Sequence, residues 1–208
     1  MINFDNIKTY SEEFPNVWSF LGDPEKTASI SQNDKDQIFF LNNEASEFVK
    51  NYINNSNMIT GPIWSPFNER YFKTIQEFPV TENCEKELKK WLYSKSIPFD
   101  KFVYMDRDRS GQAIALTWKM VIKYCEGLFF ADDLILFDET LNWGLYYFHE
   151  DRLYYGTDKI YDKDFEYEKT LELNELKKKF FKKNNQDNIE GKKRIIDFKE
   201  KHNVNRFK

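Results

Sequence analysis

Glycine, cysteine and histidine are scarce in this chain, and each scarcity closes off a class of chemistry. Only 7 of the 208 residues are glycine, and none has a glycine close by. No loop of the dinucleotide or P-loop kind is therefore available to cradle a phosphate on bare backbone amides. The 2 cysteines, Cys84 and Cys125, stand too far apart for a thioredoxin-type pair and have no companions for a zinc site. Two free, buried thiols in a reducing compartment are expected. With 2 histidines, His149 and His202, a nucleophilic triad has little to draw on. His149 follows an aromatic run and precedes Glu150 and Asp151, where a solvated surface role is expected rather than that of a general base. Long apolar runs are missing too. No stretch approaches the roughly 20 residues that cross a bilayer, and the first residues lack the basic and apolar regions of a signal peptide. A cytoplasmic protein without a membrane partner is expected.

What the chain does hold is bulk and charge. It carries 20 Phe, 12 Tyr and 5 Trp, with 40% hydrophobic and 32% charged residues, enough to build a large core and stay in solution. The net charge of −4 is unevenly spread: −2 over residues 1–125, −10 over 126–175 and +8 over 176–208. A core domain over 1–175 followed by a basic helical extension over 176–208 is expected, with that extension either covering the acidic segment or facing solvent.

The most legible stretch is Leu128 to Lys159. Leu134 to Phe137, Trp143 to His149 and Leu153 to Gly156 are short runs of leucyl, β-branched and aromatic residues separated by polar turns, the pattern of an antiparallel meander. Alternation along the middle run sets Trp143, Leu145, Tyr147 and His149 on one face, with Tyr146 and Phe148 on the other. Gly144 marks a bulge or a place where another side chain crosses the sheet. Upstream, Ile38 to Leu41 is apolar, and Ala45, Phe48, Val49, Tyr52 and Ile53 recur at helical steps behind an Asn42 or Asn43 cap. The proline-rich segment 59–68 reads as an irregular lid, and Tyr71 to Phe78 as a helical turn or a strand. Thr81 is placed to cap a helix over 81–94 with Cys84, Leu88, Trp91 and Leu92 inward. Phe102 to Met105 reads as a strand, Ser29 to Gln37 as a loop, and 112–125 as a buried helix from the spacing of Ala113, Leu116, Met120 and Val121. A further helix is expected over 171–184. The predicted fold is α+β: an antiparallel β-meander packed with several helices, in a single domain.

No cluster of residues dictates a reaction. Asp132, Asp133, His149 and Asp151 offer ligands for a hard cation, but carboxylates in hairpin turns are ordinarily solvated; no metal, cofactor or enzymatic activity is expected. The lysines after residue 176 offer phosphate contacts, yet an acidic neighbour opposes nucleic acid. Both faces of the meander are apolar, so either both are covered by this chain's own helices or one is exposed as a binding surface. Asp132, Asp133, Asp138, Glu139, Glu150 and Asp151 would steer a basic partner, with Trp143, Tyr147, His149 and Tyr154 as contacts.

The residues from Trp118 to Asp158 resemble the C-terminal part of small bacterial immunity proteins, the cytosolic partners of polymorphic and contact-dependent toxins. The similarity lies in Asp132-Asp133 before an apolar strand, Trp143 opening the next, His149-Glu150-Asp151 at the turn, and Gly156 after an aromatic pair. The resemblance implies a non-enzymatic inhibitor that binds a cognate basic toxin one to one. Two alternatives stand beside it: a metal-dependent enzyme built on Asp132, Asp133, His149 and Asp151, and a nucleic-acid-associated accessory protein using the basic C-terminal helices.

Overall fold

Strand-forming runs between polar turns give this chain a sheet, and helices with one apolar stripe cover it. The computed structural model describes residues 1–14, 21, 24–59, 65–107, 111–130 and 132–160. Met1–Ile160 pack as one unit. Val17, Trp18, Phe20, the helix expected over 171–184 and the basic extension over 176–208 lie outside the described residues.

A 3-10 turn, Ile7–Tyr10, is followed by helices α1 (Pro24–Ala28) and α2 (Gln32–Lys35), strand β1 (Ile38–Phe40), helix α3 (Asn43–Asn54) and strand β2 (Phe72–Pro79). Helix α4 (Glu85–Tyr93), strands β3 (Phe102–Arg107) and β4 (Ile114–Thr117), and helices α5 (Trp118–Lys123) and α6 (Cys125–Leu128) come next. The meander β5 (Leu134–Phe137), β6 (Gly144–Phe148) and β7 (Arg152–Lys159) closes the described chain. The strands form one sheet in the order β1-β4-β3-β5-β6-β7-β2, antiparallel at every pairing. The fold is α+β with the meander inside the sheet, as its sequence predicts.

Each face of the sheet buries its own core. On one, Val103, Met105, Leu136, Leu145 and Tyr147 pack against Leu88 and Leu92 of α4, Val121 of α5 and Leu128 of α6. On the other, Tyr104, Ile135, Phe137, Phe148 and Tyr154 pack with Val49 and Ile53 of α3 and with Met58 and Phe67. The alternation expected along β6 is observed, with Leu145 and Tyr147 in the first core and Phe148 in the second. Leu136 and Leu145 face each other across β5 and β6, both fully buried, each contributing about 1.5–3 kcal/mol through burial. Helix α3 begins where expected, the Asn42 side chain accepting a hydrogen bond from the Ala45 amide. At Gly144 and Gly156, paired across β6 and β7, Met58 and Phe72 lie where a side chain would project. Met58 and Phe67 thus cover the sheet here, while residues 60–64 of the expected lid lie outside the described residues.

Three expectations are corrected. Residues 112–125 are not one helix: Ile114 to Thr117 form β4, and the helix starts only at Trp118. All four β4 residues are buried, because the strand lies between β1 and β3 with both faces covered. An unbroken apolar run of that kind fits helical spacing as well as strand, and its length alone does not decide between them. Thr81 does not cap α4. Its carbonyl accepts from the Cys84 amide, 3.2 Å, in a turn where Asn83 is left-handed (φ 63°), and the helix begins at Glu85. The polar stretch 29–37 is not all loop, since Ser31 caps the short helix α2 by accepting from the Asp34 amide.

Candidate binding site

The acidic residues of the meander divide between its two ends. At the β5–β6 turn, Asp138 is 6% exposed. Its carboxylate accepts from the Trp143 indole N–H at 3.0 Å, the Thr140 amide at 2.9 Å and the Thr140 hydroxyl at 2.5 Å, with Lys101 Nζ at 3.9 Å. Glu139 pairs with Lys101, while the Tyr52 and Tyr71 hydroxyls donate to the Glu139 and Leu141 carbonyls at 2.6 and 3.2 Å. This turn spends its polar groups on its own chain. A buried carboxylate so supplied with donors is a structural anchor, and Asp138, expected to steer a partner, is committed to its own turn.

Three of the expected aromatic contacts are likewise committed to the fold. Trp143, Tyr147 and Tyr154 are 7%, 0% and 4% exposed. Both faces of the sheet are covered by helices, and one also by Met58 and Phe67, so the alternating aromatics are core. Burial raises the Tyr147 hydroxyl above its ordinary value, with the Asp151 carboxylate adding to the effect, which keeps it a neutral donor to Asp151 at 3.2 Å.

The opposite end of the meander is open. His149, Glu150 and Asp151 are exposed. Asp133, partly buried, accepts from the His149 backbone amide and faces its ring Nδ1, both at 2.8 Å, which fixes the ring against the start of β5. Asp132 is half-buried next to Arg107. Burial pulls the Arg107 guanidinium down to about 10, and the Asp132 charge works against that fall. The Asp151 carbonyl accepts from the Val80 amide at 2.8 Å, tying the β6–β7 turn to the loop that leads into α4.

Between that loop, the start of α4, α6 and the β6–β7 turn lies a cavity of about 290 Å³. Glu82, Glu85, Glu126 and Asp151 line it, with Leu88 and Phe129 among its apolar walls and Cys84 against it. Phe130, another wall, is 66% exposed. The Glu85 carboxyl lies below its ordinary value because Lys89 bonds it at 2.5 Å, and Lys26 reaches Glu126 only at 3.9 Å. The cavity joins four carboxylates to an exposed phenyl ring, a combination suited to cationic side chains with apolar stems.

Of the residues singled out in the sequence, Asp151 lies in this cleft, while Asp133, His149 and Glu150 belong to the same end of the meander. Glu82, Glu85, Glu126 and Phe130 were missed. Glu82 and Glu85 read as first-turn charges of a helix, and Phe130 as one of many phenylalanines; only the pairing of Phe129-Phe130 with Asp132-Asp133 pointed to a ring among acids. The metal alternative needed Asp132, Asp133, His149 and Asp151 to converge. Among the described residues no three His, Cys, Asp or Glu side chains stand close enough to share an ion. Cys84 and Cys125 are free, Cys125 buried and its thiol pushed up to about 11 by desolvation. Among the described residues no helix is long and apolar enough to cross a membrane. No protein-family model, no curated protein and no solved structure matches this chain.

Proposed function

We propose that this protein is a non-catalytic, stoichiometric protein-binding module that receives a basic partner in the acidic cleft beside α4. The observation that carries the reading is the exposed Phe130 ring standing among Glu82, Glu85, Glu126 and Asp151. Carboxylates accelerate and orient the approach of a cationic surface, and a solvent-facing ring supplies the desolvated anchor that acids alone lack. The likeness of residues 118–158 to immunity proteins makes a cytosolic basic toxin the partner of choice, with this chain its inhibitor by occlusion. The contact set differs from that expected from sequence: the cleft residues and the His149–Asp151 turn take the place of Asp138, Trp143, Tyr147 and Tyr154.

The test is a pull-down from the native host with the tagged full chain, followed by mass spectrometry and affinity measurement. One basic polypeptide at about equal amount is expected. Phe130→Ala should weaken its binding by about 30-fold, the effect of losing a hot spot of about 2 kcal/mol. Glu82→Lys with Glu126→Lys should slow association and flatten its salt dependence. A partner that binds both variants as well as the parent, or recovery of nucleic acid in place of a protein, sinks the reading.

A further inference from the structure

The other end of α4 carries a cavity of opposite sign. Lys89 and Tyr93 of α4, Lys119, Ile122 and Lys123 of α5, and Phe99 of the connecting loop enclose about 350 Å³. Its floor is apolar, Ile122 being 3% exposed. Tyr93 and Phe99 are 55% and 53% exposed, their rings edge to face with centroids 5.5 Å apart. A backbone bond from the Lys119 amide to the Phe99 carbonyl, 2.9 Å, holds the loop against the start of α5. Exposed single apolar residues are commonplace, but two paired rings over an apolar floor form a continuous wall.

Charge separates this cavity from a mere packing gap. Lys89 is neutralised by Glu85 and Lys123 by Asp34, each at 2.5 Å. Lys119 has no ion pair among the described residues. Three lysines thus line the cavity and two of them are paired with carboxylates, leaving Lys119 without a counter-charge among the described residues beside an aromatic wall. A ligand that fits must bring a single negative charge and a flat apolar body. The volume lies at the lower end of the range for small-molecule sites.

We infer that this cavity binds a small amphipathic anion: a carboxylate, sulfonate or phosphate monoester on an aromatic or similarly flat apolar group. The anionic head pairs with Lys119, and the body lies on Ile122 against Tyr93 and Phe99. The site is separate from the acidic cleft and does not depend on the protein-binding reading.

Naphthalene-1-sulfonate is the probe, titrated into the full chain by calorimetry and by amide chemical shifts. Saturable one-to-one binding is expected, with shifts at Tyr93, Phe99, Lys119 and Ile122. Neutral 1-naphthalenemethanol and inorganic sulfate should each bind at least about tenfold more weakly, since each lacks one half of the recognition. Lys119→Met and Phe99→Ala change exposed residues and leave the fold intact by circular dichroism. Each should weaken the sulfonate by about tenfold, while Lys50→Met, on α3 across the sheet, leaves it unchanged. Absence of saturable binding, equal binding of the neutral alcohol, or undiminished binding by both cavity variants overturns the inference.

Discussion

A Cβ on Gly156 would sit 2.2 Å from the Phe72 ring, and one on Gly144 would sit 2.7 Å from Met58 Sδ. Phe72 is buried and packed edge to face with Phe67 and Tyr71 at 5.1 and 4.8 Å, so its ring has little freedom to move, whereas a thioether can swing aside. Gly156→Ala is therefore expected to cost about 1–3 kcal/mol, and Gly144→Ala less, in urea denaturation. Equal stability of the two variants would refute this account of the lid. A second contrast lies between two tryptophans packed edge to face, Trp118 and Trp143, whose ring centroids are 5.7 Å apart. The Trp143 indole N–H donates to buried Asp138, while the buried Trp118 N–H finds no acceptor among the described residues. Trp143→Phe strands a carboxylate and Trp118→Phe removes an orphan. The first is expected to be the more destabilising by about 1–3 kcal/mol, although both remove similar bulk.

At the scale of elements, α2 is clasped to the α5–α6 junction through one carboxylate. Asp34, 3% exposed, accepts from Lys123 Nζ at 2.5 Å, the Tyr124 hydroxyl at 2.8 Å and the Ser31 hydroxyl at 2.9 Å. Burial pushes its carboxyl up, but the bonds from Lys123, Tyr124 and Ser31 outweigh that and hold it below its ordinary value. A carboxyl depressed in the folded state contributes stability that is complete above its unfolded value, near 3.9, and is lost as pH falls through the folded value. Asp34→Asn should lower stability at neutral pH by about 1–3 kcal/mol and shrink the loss between roughly pH 5 and the acid limit. Denaturation curves from pH 7 to pH 2.5 decide it; parallel pH profiles for parent and variant would assign the acid limb elsewhere. Helix α4 shows a related economy of placement. Glu85 lines the acidic cavity near its N-terminus and Lys89 the basic one further along, in the sense the helix dipole favours.

Across the whole molecule, strands remote in sequence are neighbours in the sheet. β1 pairs with β4 and β2 with β7, so both edges are completed by segments from the first half of the chain. β5 and β6 are flanked on both sides and buried on both faces. Their amides should be the slowest to exchange with deuterium, and those of β1 and β2 faster by at least about tenfold, as edges open without disturbing the interior. Uniform protection across the sheet would show that the edges open only with the whole.

Local patterns identified the meander, helix α3 and strand β3, because each states its period within a few residues and bounds it with turn formers. They failed over 112–125, where a strand buried on both faces shows no alternation and resembles a helix. They left the meander's aromatic face open between core and interface. Tyr147 and Trp143 alternate as an exposed recognition strip would, and only the packing of α4, α5 and α6 over them makes them core. Nor could charge pattern distinguish Asp138, bound by its own turn, from Asp151, open to a cleft. The strand periods, the turns and the class of fold are determined by neighbours in sequence. Which acids meet solvent, and which lysines and rings enclose a cavity, is decided by contacts between residues tens of positions apart, and such contacts form only when the sheet closes.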